Sequence, residues 1–168
     1  METNNQQTPI ISNELNQTQQ SPQIQQLEES LIAYRQSWVD EIEKMNEMMK
    51  TIPKVDELLN TIYTKRQKLV DYYYGMASVI AKQSREYKKS YMEMFNNVKL
   101  NGYKGMRIAT DQAITKLIEV ELADKKEIID LLQGHNEYIQ ESIKTVDNMI
   151  YGINQKIKVQ EIMNGLKF

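Results

Sequence analysis

One long seam constrains this 168-residue chain more than any other feature. Ile129, Leu132, Ile139, Ile143, Val146, Ile150, Ile153 and Ile157 follow one another at steps of 3, 7, 4, 3, 4, 3 and 4. Such spacing keeps apolar side chains on one line of an α-helix, and a repeat near 3.5 residues bends that line into a left-handed supercoil. The seat missing from the seven-residue step is Asn136, so the seam is expected to carry one buried polar position. An isolated helix cannot bury a seam of this length. It needs a partner, either from the same chain or from another copy.

Upstream, the same logic gives further helices. Leu27, Leu31, Tyr34, Trp38, Ile42, Met45, Met49 and Ile52 recur at helical intervals, with Ser21 placed to cap and Pro22 at the first helical position. Pro53 separates this helix from the next, which runs from about residue 54 to residue 80. Its stripe is Val55, Leu59, Ile62, Leu69, Tyr73, Met76 and Ile80, with Gly75 as a local weakness. Residues 81–95 remain helix-compatible, and the Asn- and Gly-rich stretch 96–105 reads as a loop. Thr110 is a good cap for a short helix, and the seam helix spans about residues 123–163. With only 6 Gly and 3 Pro, the composition agrees with an all-α fold of long helical hairpins in coiled-coil-like packing. Residues 1–24, rich in Gln and Asn, read as a disordered tail. Residues 25–107 hold the N-terminal helices, and residues 108–168 the C-terminal ones.

The totals exclude several classes. There is no cysteine, hence no disulfide and no thiolate metal site. No apolar run is long enough for a membrane span, and the polar start has no signal-peptide pattern, so the expected location is the cytoplasm. His135 is the only histidine, and no phosphate-binding or dinucleotide-binding glycine motif is present. Acid pairs such as Asp40/Glu41 and Asp56/Glu57 read as solvated helix faces. The expectation is a protein without catalysis, metal or cofactor.

The charge distribution is more informative than the net −2. Residues 1–30, 31–60 and 108–168 carry −4, −2 and −3, whereas residues 61–107 carry +7 and seven of the ten tyrosines. Lys65, Lys68 and Tyr72 are spaced to share a helix face opposite the apolar stripe. Lys82, Arg85 and Lys89 share another. Arg66 lies within the same cluster. Cations that track phosphates, interleaved with rings that stack on bases, are what single-stranded nucleic acid requires. The alternative from the residues alone is a solvated lysine face with tyrosines in the core.

The stretch "KRQKLVDYYYGMA" resembles the UvsY-type recombination mediators of T-even-like bacteriophages. In that family a basic helix runs into an Asp-Tyr-Tyr-x-Gly motif, matched here by Asp71, Tyr72, Tyr73, Tyr74 and Gly75. Trp38 in the first helix and the closing run "IKVQEIMNG" (157–165) are also similar. The family has basic residues two and four places before the Asp, where this chain has Leu69 and Gln67; its cations sit at Lys65, Arg66 and Lys68. The resemblance implies an all-helical homo-oligomeric ring that binds single-stranded DNA. It also implies that the ring helps load a RecA-like recombinase onto DNA covered by a single-strand-binding protein. On that view Lys65, Arg66, Lys68, Tyr72, Lys82, Arg85 and Lys89 contact DNA. Ile139, Ile143, Val146, Ile150, Ile153 and Ile157 hold the oligomer. The rival expectation is a helical structural or assembly protein with no DNA role.

Overall fold

The structure is a computed structural model that describes residues 21–50, 55–163 and 165. Most of the expected N-terminal tail, together with Ile52 and Pro53, lies outside the described residues. Four helices follow one another: α1 (Pro22–Lys50), α2 (Val55–Asn101), α3 (Asp111–Glu121) and α4 (Ala123–Met163). The described residues contain no strand, only a single bridge between Tyr103 and Met106. No described helix is long and apolar enough to cross a membrane.

The 47-residue α2 is the spine, about 70 Å long at 1.5 Å per residue. It runs antiparallel to α1, as the Glu41–Lys65 and Tyr34–Tyr72 contacts show. It also runs antiparallel to α4, through Arg66–Asp147 and Ser90–Lys125. Consequently α1 and α4 are parallel, with Arg35 against His135 and the Met49 methyl against Gly152. Trp38, Met45, Leu58, Ile62, Leu69, Ile139, Val146, Met149 and Ile153 fill the core between the three helices. At about 1.5–3 kcal/mol for each large apolar side chain buried, this cluster dominates the stability. Beyond it, Val98 packs with Ile114, Ile118 and Leu122, which fastens α3 to the far end of α2.

Several expectations are corrected here. The first helix begins at Pro22, as its position after Ser21 suggests, but Ile24 is fully buried, so the tail bound at residue 24 is too long and residues 22–24 belong to the fold. The second helix does not stop near residue 95. Val98 is buried against α3 and Asn101 bonds to Asn97 one turn back, so the two asparagines at 96 and 97 do not end it. Its stop is Gly102, at φ 74°, where a Cβ would lie 2.5 Å from the Met106 carbonyl oxygen. Thr110 caps α3 as expected, its side chain accepting from the Ala113 N–H at 3.2 Å.

The seam is present in α4 but one flank over. The buried line is Ile129, Leu132, His135, Ile139, Ser142, Val146, Met149 and Ile153. Ile143, Ile150 and Ile157 are half-buried at its edge. His135 and Ser142 occupy seats that an apolar count passes over. Ser142 is tolerated because its hydroxyl donates to the Tyr138 carbonyl one turn back, at 2.9 Å. Asn136 is half-buried, and its Oδ1 is enclosed without a partner among the described residues.

Candidate nucleic-acid interface

The basic residues of α2 fall into two groups. Lys65 reaches across to α1 and pairs with Glu41 at 2.7 Å. That bond holds the Glu41 carboxyl below its ordinary range, against the opposing effect of burial. Arg66 reaches the other way and grips Asp147 of α4 with two bonds, 2.5 and 3.3 Å. The carboxylate keeps the guanidinium still more firmly protonated. These two cations are therefore committed to holding helices together. A phosphate would have to displace a carboxylate to reach either.

Lys68, Lys82, Arg85 and Lys89 are different. Lys68 is exposed next to the Lys65–Glu41 pair. Lys82, two heptads further on, lies on the same outward stripe, and Arg85 and Lys89 follow at steps of three and four. All four are exposed, over a span of about 30 Å. Among the described residues they make one ion pair, between Lys89 and Glu93, a 3.8 Å contact on the same helix with both side chains mostly in water. Such a contact competes weakly with a phosphate.

The expected solvent face for Tyr72 is corrected. Tyr72 stacks on Tyr34 of α1, with ring centroids 4.3 Å apart and planes 14° from parallel. Its other neighbour is His135, edge-on at 5.7 Å. Burial pushes its phenol above the ordinary tyrosine value. The cause is that α2 buries two faces, not one. The face opposite α4's contacts was expected to meet water, but α1 covers the part of it that carries Lys65 and Tyr72. Tyr73 is also half-buried, and the open ring of the triplet is Tyr74.

Around Tyr72 lies an assembly that the sequence did not announce. His135 is fully buried among Tyr34, Tyr72 and Tyr138. Its Nδ1 accepts from Arg35 Nε at 3.3 Å, which places the proton of the neutral ring on Nε2. Nε2 is enclosed without a partner among the described residues. Burial, and then the nearby Arg35 charge, hold the imidazole below its ordinary value. The Tyr138 hydroxyl donates to the Arg35 carbonyl at 3.0 Å, and the Arg35 guanidinium lies 5.6 Å from the Tyr138 ring centre. No group of three or more potential metal-ligating His, Cys, Asp or Glu residues gathers here or elsewhere among the described residues.

Of the residues expected to hold an oligomer, Ile139, Val146 and Ile153 are fully buried against α1 and α2 of the same chain. Ile143, Ile150 and Ile157 keep part of their surface open. The end of α4 presents Val159, Ile162 and Met163 to solvent, at 54%, 64% and 80% exposure. Compared with protein-family models, curated proteins and solved structures, the chain matches none.

Proposed function

We propose that this chain binds single-stranded DNA along the outward stripe of α2 and acts as a recombination mediator. One observation carries the reading: Lys68, Lys82, Arg85 and Lys89 line one exposed face of a single continuous helix in a chain that is acidic elsewhere. Cations without strong internal partners release counterions when they meet phosphates, which drives polyanion binding. The likeness around Asp71–Gly75 adds the rest of the role. The chain would hold a strand, loosen its cover of single-strand-binding protein and stabilise the incoming RecA-like recombinase, with no bond made or broken. A homo-oligomeric ring would repeat the stripe around the strand. The half-open Ile143, Ile150 and Ile157 and the apolar end of α4 would supply its contacts.

The test is fluorescence anisotropy with single-stranded and duplex DNA over a range of salt. Four phosphate contacts per chain correspond to a log–log slope of about −2.8 at roughly −0.7 per contact. Absence of salt-dependent binding to single strands would sink the reading. A helical assembly protein without a DNA role would then stand. Two observations favour that second reading: Lys65 and Arg66 are engaged by carboxylates, and the apolar end of α4 is uncovered.

A further inference from the structure

Three tyrosines stand out from the bundle surface: Tyr63 is 50% exposed, Tyr74 68% and Tyr151 66%. Their placement is ordered by the Arg66–Asp147 bridge, which fixes where α2 and α4 meet. Tyr63 lies one turn before Arg66 on the same face of α2. Tyr151 lies one turn after Asp147 on the same face of α4. Because the helices are antiparallel, both rings fall on the same side of the bridge and flank the α2–α4 edge. Tyr74 lies eleven residues beyond Tyr63, about three turns, and so returns to the same face. The Tyr73 ring meets it edge-on, with centroids 5.4 Å apart and planes at 77°. Another eleven residues along that face comes Arg85, which also belongs to the cationic stripe.

One exposed tyrosine is ordinary surface. Three rings along one edge, leading to a cation on the neighbouring stripe, form a pattern with a chemical match. An unpaired base has an open π-face, and covering a ring with it removes apolar surface from water on both sides. A duplex hides those faces. A protein partner would also take tyrosines, but the adjacent exposed cations favour a polyanion. We propose that Tyr63, Tyr74 and Tyr151 form a stacking edge for unpaired nucleobases, parallel to the stripe that tracks phosphates. The proposal rests on the single-stranded DNA reading above and assigns the bases a place that Tyr72 does not offer.

The test compares an oligothymidylate with an abasic oligonucleotide of the same length and phosphate count. Wild-type protein should prefer the base-bearing strand. Replacing Tyr63, Tyr74 and Tyr151 by Ala should weaken binding to that strand roughly 5- to 150-fold for each base stacked. Binding to the abasic strand and the salt slope should stay as they were. The corresponding Phe variants should keep the preference, since they keep the ring. Should the triple variant lose helicity, Tyr74→Ala alone, at the most exposed position, makes the same comparison. Unchanged affinity for thymidylate in a folded variant overturns the stacking edge while leaving the DNA reading intact. So does an equal loss on both strands, which would mean the rings act through something other than bases. Wild-type protein that binds neither strand overturns the DNA reading itself, and the edge falls with it.

Discussion

The two halves of α2 have similar residues and opposite circumstances. From Leu58 to about Ile80 the helix lies between α1 and α4, and several of its polar side chains are drawn into that packing, although Lys68 stays in solvent. Lys65 meets Glu41, Arg66 meets Asp147, and Tyr72 stacks on Tyr34. From about Ala81 onward α1 reaches its first turn at Pro22, and among the described residues the start of α4 and the short α3 lie alongside the rest of the helix. There Lys82, Arg85 and Lys89 are left to solvent. The difference teaches that a basic, aromatic segment is not one functional unit. Whether a cation meets a carboxylate or solvent depends on which face of α2 it occupies and what lies over that face.

The largest effect should come from the core of the crowded half. Leu69 is fully buried, and Leu69→Ala should cost about 2–5 kcal/mol, read as a lower midpoint for unfolding of the whole chain by urea. Ile118→Ala removes a similar group from the far cluster, which is smaller and joins α3 to the end of α2. Its effect should be local: faster amide exchange in α3 and the last turns of α2, with a smaller shift of the global midpoint. Equal midpoint shifts would break the contrast, because the two halves would then unfold as one unit.

Next comes the charge of the open half. Replacing Lys82, Arg85 and Lys89 together by Ala should flatten the salt slope of single-stranded DNA binding by about 2, at roughly 0.7 per contact. Circular dichroism should stay unchanged, since all three are exposed. If replacing Lys65 and Arg66 flattened the slope as much, the helix-bridging cations would also be reading phosphates, and the division would be wrong.

Helix identity was legible in the sequence because each helix has an apolar stripe at its own period, and α3 has an explicit cap. The limits of α4, the Thr110 cap and the core roles of Trp38, Met45 and Ile62 all follow from spacing. The end of α2 did not, because Val98 is secured by α3, a contact absent from local sequence. The exact seam of α4 did not either. His135 and Ser142 are buried by virtue of partners on α1 and on the preceding turn, and an apolar count skips them. The site was legible only as a region. A helical wheel for α2 yields one buried face, whereas a helix flanked by two others buries two. Knowing that α1 lies over Tyr72 would have turned Tyr72 inward and Tyr74 outward.

His135 offers a gentler probe of the crowded half. Its imidazole titrates below the ordinary value of 6.5 in the folded chain, through burial and then the Arg35 charge. The groups that face it are Arg35 and Tyr34 from α1, Tyr72 from α2 and Tyr138 from α4. A folded-state value below the unfolded one means that the unfolded chain binds the extra proton first. Stability is therefore fully present above about pH 6.5 and is lost as pH falls below it, by at most about 1.4 kcal/mol per pH unit. Urea unfolding at pH 7.5, 6.5 and 5.5 should show this loss, and His135→Gln should remove the pH dependence within that window. A wild-type midpoint that stays level down to pH 5.5 would mean that the tyrosines around His135 part to let it accept the proton.

The smallest effect sharpens the comparison at its boundary. Lys65 and Glu41 are both about one-third exposed, so a double-mutant cycle should return only about 0.2–1 kcal/mol of coupling. The pair matters less for stability than for where Lys65 points. Glu41→Gln removes the charge that holds the ammonium against α1 and leaves the side-chain shape almost intact. If the carboxylate alone keeps Lys65 from the strand, the freed cation should join Lys68 on the outward side. The salt slope should then steepen by about 0.7, one phosphate contact on a single strand. An unchanged slope would mean that the path of α1, rather than its charge, shuts Lys65 away. The boundary between the two groups of cations would then be set by packing alone, and the strand's track would begin at Lys68.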